Sequence, residues 1–160
     1  MLLWQSADTL TLYNLADGTT HDVPYQVPAG GQSGSGKNYG WPLATWGINY
    51  SGFKIPEAKG EIVAGTEQPV FYWKDSPAVS GMAFYNSDKF PQWQQKLFIG
   101  ALKDKDVIVM SVNGDKVTED GRILTDRGQR IRDVRTGPDG YLYVLTDESS
   151  GELLKVSPRN

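Results

Sequence analysis

The sequence predicts an all-β chain: a partial β-propeller of two to three four-stranded antiparallel blades. Three observations predict it. Short runs alternate apolar and polar residues, glycine- and proline-marked turns separate them, and the second half of the chain repeats itself. Gly 18, Pro 9 and 11% aromatic residues suit many short strands. No long 3.6-residue amphipathic period is present, so helices are not the main elements. A small β-sandwich is the competing architecture.

Residues 2–27 hold two or three strand candidates. Thr9-Leu10-Thr11-Leu12-Tyr13-Asn14-Leu15 has the two-residue period of a half-buried strand. Asp17-Gly18 reads as a hairpin turn, because glycine accepts the positive φ such turns need. Thr19 to Val27 then runs back, with Pro24 pushing it toward a sheet edge because proline donates no N–H. Ala29-Gly30-Gly31-Gln32-Ser33-Gly34-Ser35-Gly36 has little to bury and reads as a flexible connector. It is either a natural loop or an engineered junction. The expected organisation is therefore a β segment over 1–28, a linker over 29–36, and blades over 37–160.

Residues 37–67 are irregular and rich in aromatic residues. Gln68-Pro69-Val70-Phe71-Tyr72-Trp73 then reads as a strand. The first copy of the repeat runs through Gly81–Tyr85, Lys96–Leu102 and Val107–Val112. It continues past an Asn113-Gly114 turn to an outer strand around Arg122-Ile123-Leu124. The second copy runs through Asp133-Val134-Arg135, Tyr141–Leu145 and Glu152–Val156, turning at Gly137-Pro138-Asp139-Gly140. The copies are offset by ~45–50 residues, a blade-like period. The second copy shows only three strands, so its edge is expected to be completed by strand exchange or by oligomerisation. A closed ring needs at least ~4 blades; self-association as a dimer or larger assembly is expected.

Composition excludes several function classes. The net charge of −3 gives no electrostatic case for nucleic acid or an anionic membrane. There is no cysteine, and His21 is the single histidine, so thiolate chemistry and a multi-histidine metal site are excluded. No apolar run approaches ~18 residues. The N-terminus is too short and too polar for a secretory signal, so a cytoplasmic location as expressed is expected.

Asn38-Tyr39-Gly40-Trp41-Pro42, Ser76-Pro77-Ala78-Val79-Ser80-Gly81-Met82-Ala83-Phe84-Tyr85 and Ala101-Leu102-Lys103 carry a resemblance. So do Arg130-Ile131-Arg132-Asp133-Val134 and Gly137-Pro138-Asp139-Gly140. Each motif is weak alone, but their order and spacing are specific. Residues 37–160 resemble the C-terminal blades of the bacterial aldose sugar dehydrogenases within the PQQ-dependent soluble glucose dehydrogenase family. Residues 2–36 do not, which favours a chimera with an unrelated N-terminal segment over a natural truncated paralogue. The resemblance implies a periplasmic parent that binds PQQ and calcium.

PQQ carries three carboxylates, and holding it requires cations. Arg130 and Arg132 stand at i, i+2 on an expected strand, which puts both on one face. A guanidinium binds carboxylate through two parallel bonds. The resemblance assigns both arginines, Lys103 and Ser76 to the cofactor. Tyr72 and Trp73 are candidates to line a sugar pocket, since aromatic faces suit sugar rings. Each has a plainer reading. The arginines can be surface cations paired with Asp126 or Asp133, Lys103 a solvated hairpin tip, and Tyr72 and Trp73 core residues. Asp104, Asp106, Asp115 and Asp120 read as turn residues, because no calcium-loop pattern surrounds them. No metal ligand is assigned.

No catalytic residue is assigned either. Sugar oxidation needs a base, a role that suits histidine. In the family that histidine lies in N-terminal blades, whereas His21 lies in the unrelated segment. The chain alone is expected to bind no cofactor and to be inactive, serving folding or assembly. The alternatives are a split-enzyme half active when complemented, and a β-edge binding module.

Overall fold

The computed structural model describes the strand backbone at residues 2–5, 9–13 and 20–24, and residues 38–49 and 51–158 in full. The chain divides into two compact units, Met1–Ser76 and Pro77–Asn160. The expected Asp17-Gly18 turn and the 29–36 linker lie outside the described residues.

The first unit holds four strands: β1 (Leu2–Gln5), β2 (Thr9–Tyr13), β3 (Thr20–Pro24) and β4 (Phe71–Tyr72). They form one sheet in the order β3-β2-β1-β4, with every neighbouring pair antiparallel. β3, which ends in Pro24, takes an edge, where a residue without an N–H does least harm. β4 is shorter than the run Gln68–Trp73 suggests. It sits at the other edge and pairs only with β1, through Leu2↔Tyr72 and Leu3↔Phe71. Between residues 38 and 67 the described chain is irregular, apart from an isolated bridge between Ala44 and Gly60.

The second unit is two blades. The first contains β5 (Val79–Phe84), β6 (Leu97–Ala101), β7 (Val107–Asn113) and β8 (Lys116–Ile123), in that order and antiparallel throughout. The second contains β9 (Ile131–Thr136), β10 (Leu142–Thr146) and β11 (Leu153–Val156), also antiparallel. Among the described residues there is no α-helix, only a 3-10 turn at Pro91–Trp93. This is the all-β, partial-propeller architecture that the repeat predicts.

β6 does not alternate: all five of its residues are buried. A strand covered on both faces loses the apolar–polar period that a half-buried strand shows. On one face, Phe98 joins Val107, Val109, Ile131, Val134, Leu142 and Val144 in a core shared by the two blades. Tyr85, fully buried, ties the blades with its hydroxyl. It donates to the Gly140 carbonyl at 2.7 Å and accepts the Phe90 N–H at 3.1 Å. Ser80 Oγ donates to the Ile131 carbonyl at 2.6 Å, and Arg135 Nη1 to the Met82 carbonyl at 2.8 Å. These bonds run from β5 to β9, so the inner strands of the two blades lie side by side.

Two glycines permit that approach. A Cβ on Gly100 would lie 2.8 Å from Ile131 Cγ2, and one on Gly81 would lie 2.7 Å from Asp133 Cα. Neither position has room for a side chain.

Candidate functional site

Arg130 directly precedes β9, and Arg132 is its second residue. β9 is not regular there. Leu145 pairs with Asp133 and Thr146 with Ile131, which leaves Arg132 as an extra, bulged residue. A bulge re-aims the side chain it carries. Strand alternation alone therefore does not explain why the two arginines converge.

What brings them together is Asp147, one residue past β10. Its N–H donates to the Arg130 carbonyl at 2.7 Å, extending the ladder by one rung. Its carboxylate accepts from Arg130 Nε at 3.1 Å and Nη2 at 2.8 Å, both at Oδ2. Arg132 grips both oxygens, Nε on Oδ1 at 3.1 Å and Nη2 on Oδ2 at 2.9 Å. Bonds from Arg130 and then Arg132 hold the Asp147 carboxyl below its ordinary range. The ion-pair partner is therefore neither Asp126 nor Asp133. Asp133 pairs with Arg135 instead, at 3.1 Å. Proximity in sequence suggested the wrong carboxylates, because the hairpin closes the distance to Asp147.

Lys103 stands in the loop between β6 and β7 and is exposed. The loop is anchored to the start of the unit. Leu102 N–H donates to the Ala78 carbonyl at 2.8 Å and Lys103 N–H to the Pro77 carbonyl at 3.1 Å. Lys105 holds φ at 61° within it. Arg122 on β8 closes the far side, with Nη1 on Asp104 at 2.7 Å and on Asp106 at 3.1 Å, and Nε on Glu119 at 2.7 Å.

Asp106 is thus more than a turn residue. It is 4% exposed, and its Oδ1 has no hydrogen-bond partner. Burial pushes its carboxyl above the ordinary value, opposed by Arg122. Burial works against the Arg122 charge, but bonds to Glu119, Asp104 and Asp106 outweigh it and hold the guanidinium above its usual value. Asp120, expected from the sequence as a turn residue, lies instead within β8. It is the bulged residue of β8, between the pairs Met110↔Glu119 and Val109↔Gly121. There it bonds Lys96 at 2.5 Å and Ser111 at 2.6 Å, and Lys96 first, then Ser111, lowers its carboxyl.

Tyr72, Trp73 and Ser76 belong to the first unit. Tyr72 is 41% exposed, and its ring tilts against Trp46 at 4.7 Å between centroids. Trp46 in turn donates from Nε1 to Gln68 Oε1 at 3.3 Å. Trp73 is buried and meets Phe71 edge-on at 4.9 Å. The two neighbours face different environments, so only Tyr72 offers a ring to solvent. Ser76 is half-buried at the end of the unit.

A family model described as glucose / sorbosone dehydrogenase matches residues 32–155. The chain belongs to the glucose/sorbosone dehydrogenase family. The family region holds Arg130, Arg132, Lys103 and Ser76. The fold is also similar to the crystal structure of the soluble aldose sugar dehydrogenase from Escherichia coli in the apo form. The two are 82% identical with a TM-score of 0.76, over 93% of this chain and 44% of that one. A glucose dehydrogenase crystal structure matches at 52% identity and a TM-score of 0.74, over the same shares. An uncharacterized Synechocystis protein is 38% identical over 76% of this chain and 29% of its own length.

The chain thus spans less than half the length of these relatives. Among the described residues, no helix is long and apolar enough to cross a membrane.

Proposed function

We propose, departing from the sequence expectation that the chain alone binds no cofactor, that it carries the part of a PQQ-dependent aldose sugar dehydrogenase propeller that grips the cofactor's carboxylates, holds PQQ through that part, and does not turn over sugar alone. One observation carries this reading: two guanidiniums, Arg130 and Arg132, converge on a single carboxylate of their own protein. A pair so arranged suits a polycarboxylate ligand, because each arginine has more donors than one aspartate can use. Lys103, on the anchored loop of the neighbouring blade, adds a cation within the same unit. PQQ, when bound, supplies the acceptor for the sugar's hydride; this chain's residues bind and orient it.

Residues 1–28 are a segment of other origin in this proposal, joined through the 29–36 linker to the blades. The Gly/Ser run and the onset of the family match at residue 32 support that. The proposed role is that of an engineered chimera that folds and assembles. Among the described residues no group of three or more His, Cys, Asp or Glu side chains is placed to hold a metal ion.

The test is dye-linked aldose oxidation with PQQ and calcium present. The chain alone is expected to show none, and turnover by it would overturn the proposal. Adding the N-terminal blades of the aldose dehydrogenase as a separate chain distinguishes the second reading, a split-enzyme half. The high identity to the Escherichia coli enzyme favours that reading, and restored turnover is its expected outcome.

A further inference from the structure

We infer that Asp147 is a positioning residue, which presents the outer edges of Arg130 and Arg132 to an anionic ligand without competing for them. This rests on the PQQ reading above and adds a residue to it. Both arginines engage Asp147 side-on, through Nε and Nη2. A guanidinium has five N–H donors in a rigid planar fork. Side-on pairing uses two of them and leaves the Nη1–Nη2 edge, which itself matches a carboxylate. Asp147 thus fixes the planes of two guanidiniums while leaving each a bidentate edge.

The arginine side chains are 43% and 50% exposed, so contacts elsewhere do not pack them rigidly. A long, exposed arginine samples many rotamers unless something holds it. Asp147 is the less mobile partner. It sits at 28% exposure, with its N–H fixed to the Arg130 carbonyl. Glu148 assists by accepting the Arg130 N–H at Oε1, at 3.0 Å.

Two effects of removing the Asp147 charge oppose each other. The arginines lose their tether, which weakens ligand binding. One negative charge leaves the site, which strengthens it. The second effect is screened, because all three side chains reach solvent. Tethering two long side chains therefore wins.

The experiment is a PQQ titration followed by absorbance, on the wild-type chain and on Asp147→Asn, Asp147→Ala and Asp147→Glu. The Asn and Ala variants are expected to bind about tenfold more weakly, and Glu to recover part of the loss. Nuclear magnetic resonance of the arginine Nε–H groups gives a second readout. Two protected Nε–H signals are expected in the wild type, and their loss in the Asn variant. The backbone bond from residue 147 to Arg130 survives all three substitutions, so the fold is expected to persist. PQQ binding by the wild type that is unchanged or tighter in Asp147→Asn overturns this inference alone. No PQQ binding by the wild type overturns the reading on which it rests, and the inference with it.

Discussion

A Cβ added to Gly81 would stand 2.7 Å from the Cα of Asp133, on the neighbouring blade. The obstacle is backbone, which cannot swing aside as a side-chain tip can. Gly81→Ala is therefore expected to push β5 and β9 apart and to strain the Ser80–Ile131 bond. The expected cost is about 1–3 kcal/mol, typical of overpacking. Urea unfolding measures it. A midpoint within error of the wild type would show that the two blades do not meet as described.

Tyr85→Phe removes one oxygen and no packing volume of consequence. The hydroxyl satisfies the Phe90 N–H in a buried setting and bonds the Gly140 carbonyl. The variant leaves a buried donor without a partner, so a loss of about 1–3 kcal/mol is expected. The ring contacts with Phe90, Trp93 and Phe98 remain. Thermal unfolding should show a lower midpoint with unchanged near-ultraviolet dichroism. An unshifted midpoint would mean that water replaces the hydroxyl.

These inter-blade contacts mark what the sequence could show and what it could not. Strands β6, β7, β9, β10 and β11 were legible because Leu97–Ala101, Val107–Val112 and their repeats are apolar or alternate. The sequence predicts β8 only around Arg122-Ile123-Leu124, whereas it begins at Lys116. It lies at the outer edge, paired on one side, and its Lys116, Thr118, Glu119 and Asp120 leave no hydrophobic signature. The arginine pair was legible as a motif. Its partner Asp147 was not, because fifteen to seventeen residues separate them and only the β9–β10 pairing closes that gap. The buried Asp106 was hidden in the same way, within a charged run that reads as solvated.

Arg122 balances three carboxylates, so replacing it with Met has a cost that depends on pH. Burial holds the Asp106 carboxyl above its ordinary value, and Arg122 opposes that rise. Without Arg122 the folded value rises further. A carboxyl raised in the fold loses stability as pH climbs from its unfolded value through its folded one. Arg122→Met should therefore destabilise by about 1–3 kcal/mol at pH 7, the cost of leaving a buried acceptor unsatisfied, and by clearly less at pH 4. Denaturant midpoints at the two pH values check this. An equal loss at both would show that the cluster does not act through charge.

Asp139 gives the opposite pH signature. Lys155 Nζ at 2.7 Å, followed by Tyr143 and the Tyr141 N–H, lowers its carboxyl to about 2. A lowered carboxyl stabilises above its unfolded value and loses that contribution as pH falls through the folded one. Lys155→Met is therefore expected to narrow the stability lost between about pH 4, the ordinary carboxylate range, and the folded value of about 2. An acid unfolding series on both proteins tests it, and parallel acid limbs would refute it. The aspartates at 120 and 147, lowered by other partners, should titrate unchanged in the variant.

β11 pairs with β10 alone, so its outer edge has no strand partner among the described residues. Leu153 on that strand is 69% exposed. An open edge with an exposed leucine is a template for pairing with another chain. The chain spans 44% of its solved relatives, so two copies carry nearly the material of one relative. A second copy is therefore the occupant we propose. Light scattering should give a discrete dimer rather than a spread of sizes. Leu153→Lys places a charge on the edge, where lysine is a common guard against pairing, and should shift the mass toward monomer. A wild type that is monomeric at every concentration would place the completion of the blade within one chain. A dimer indifferent to the lysine would place the interface on another surface.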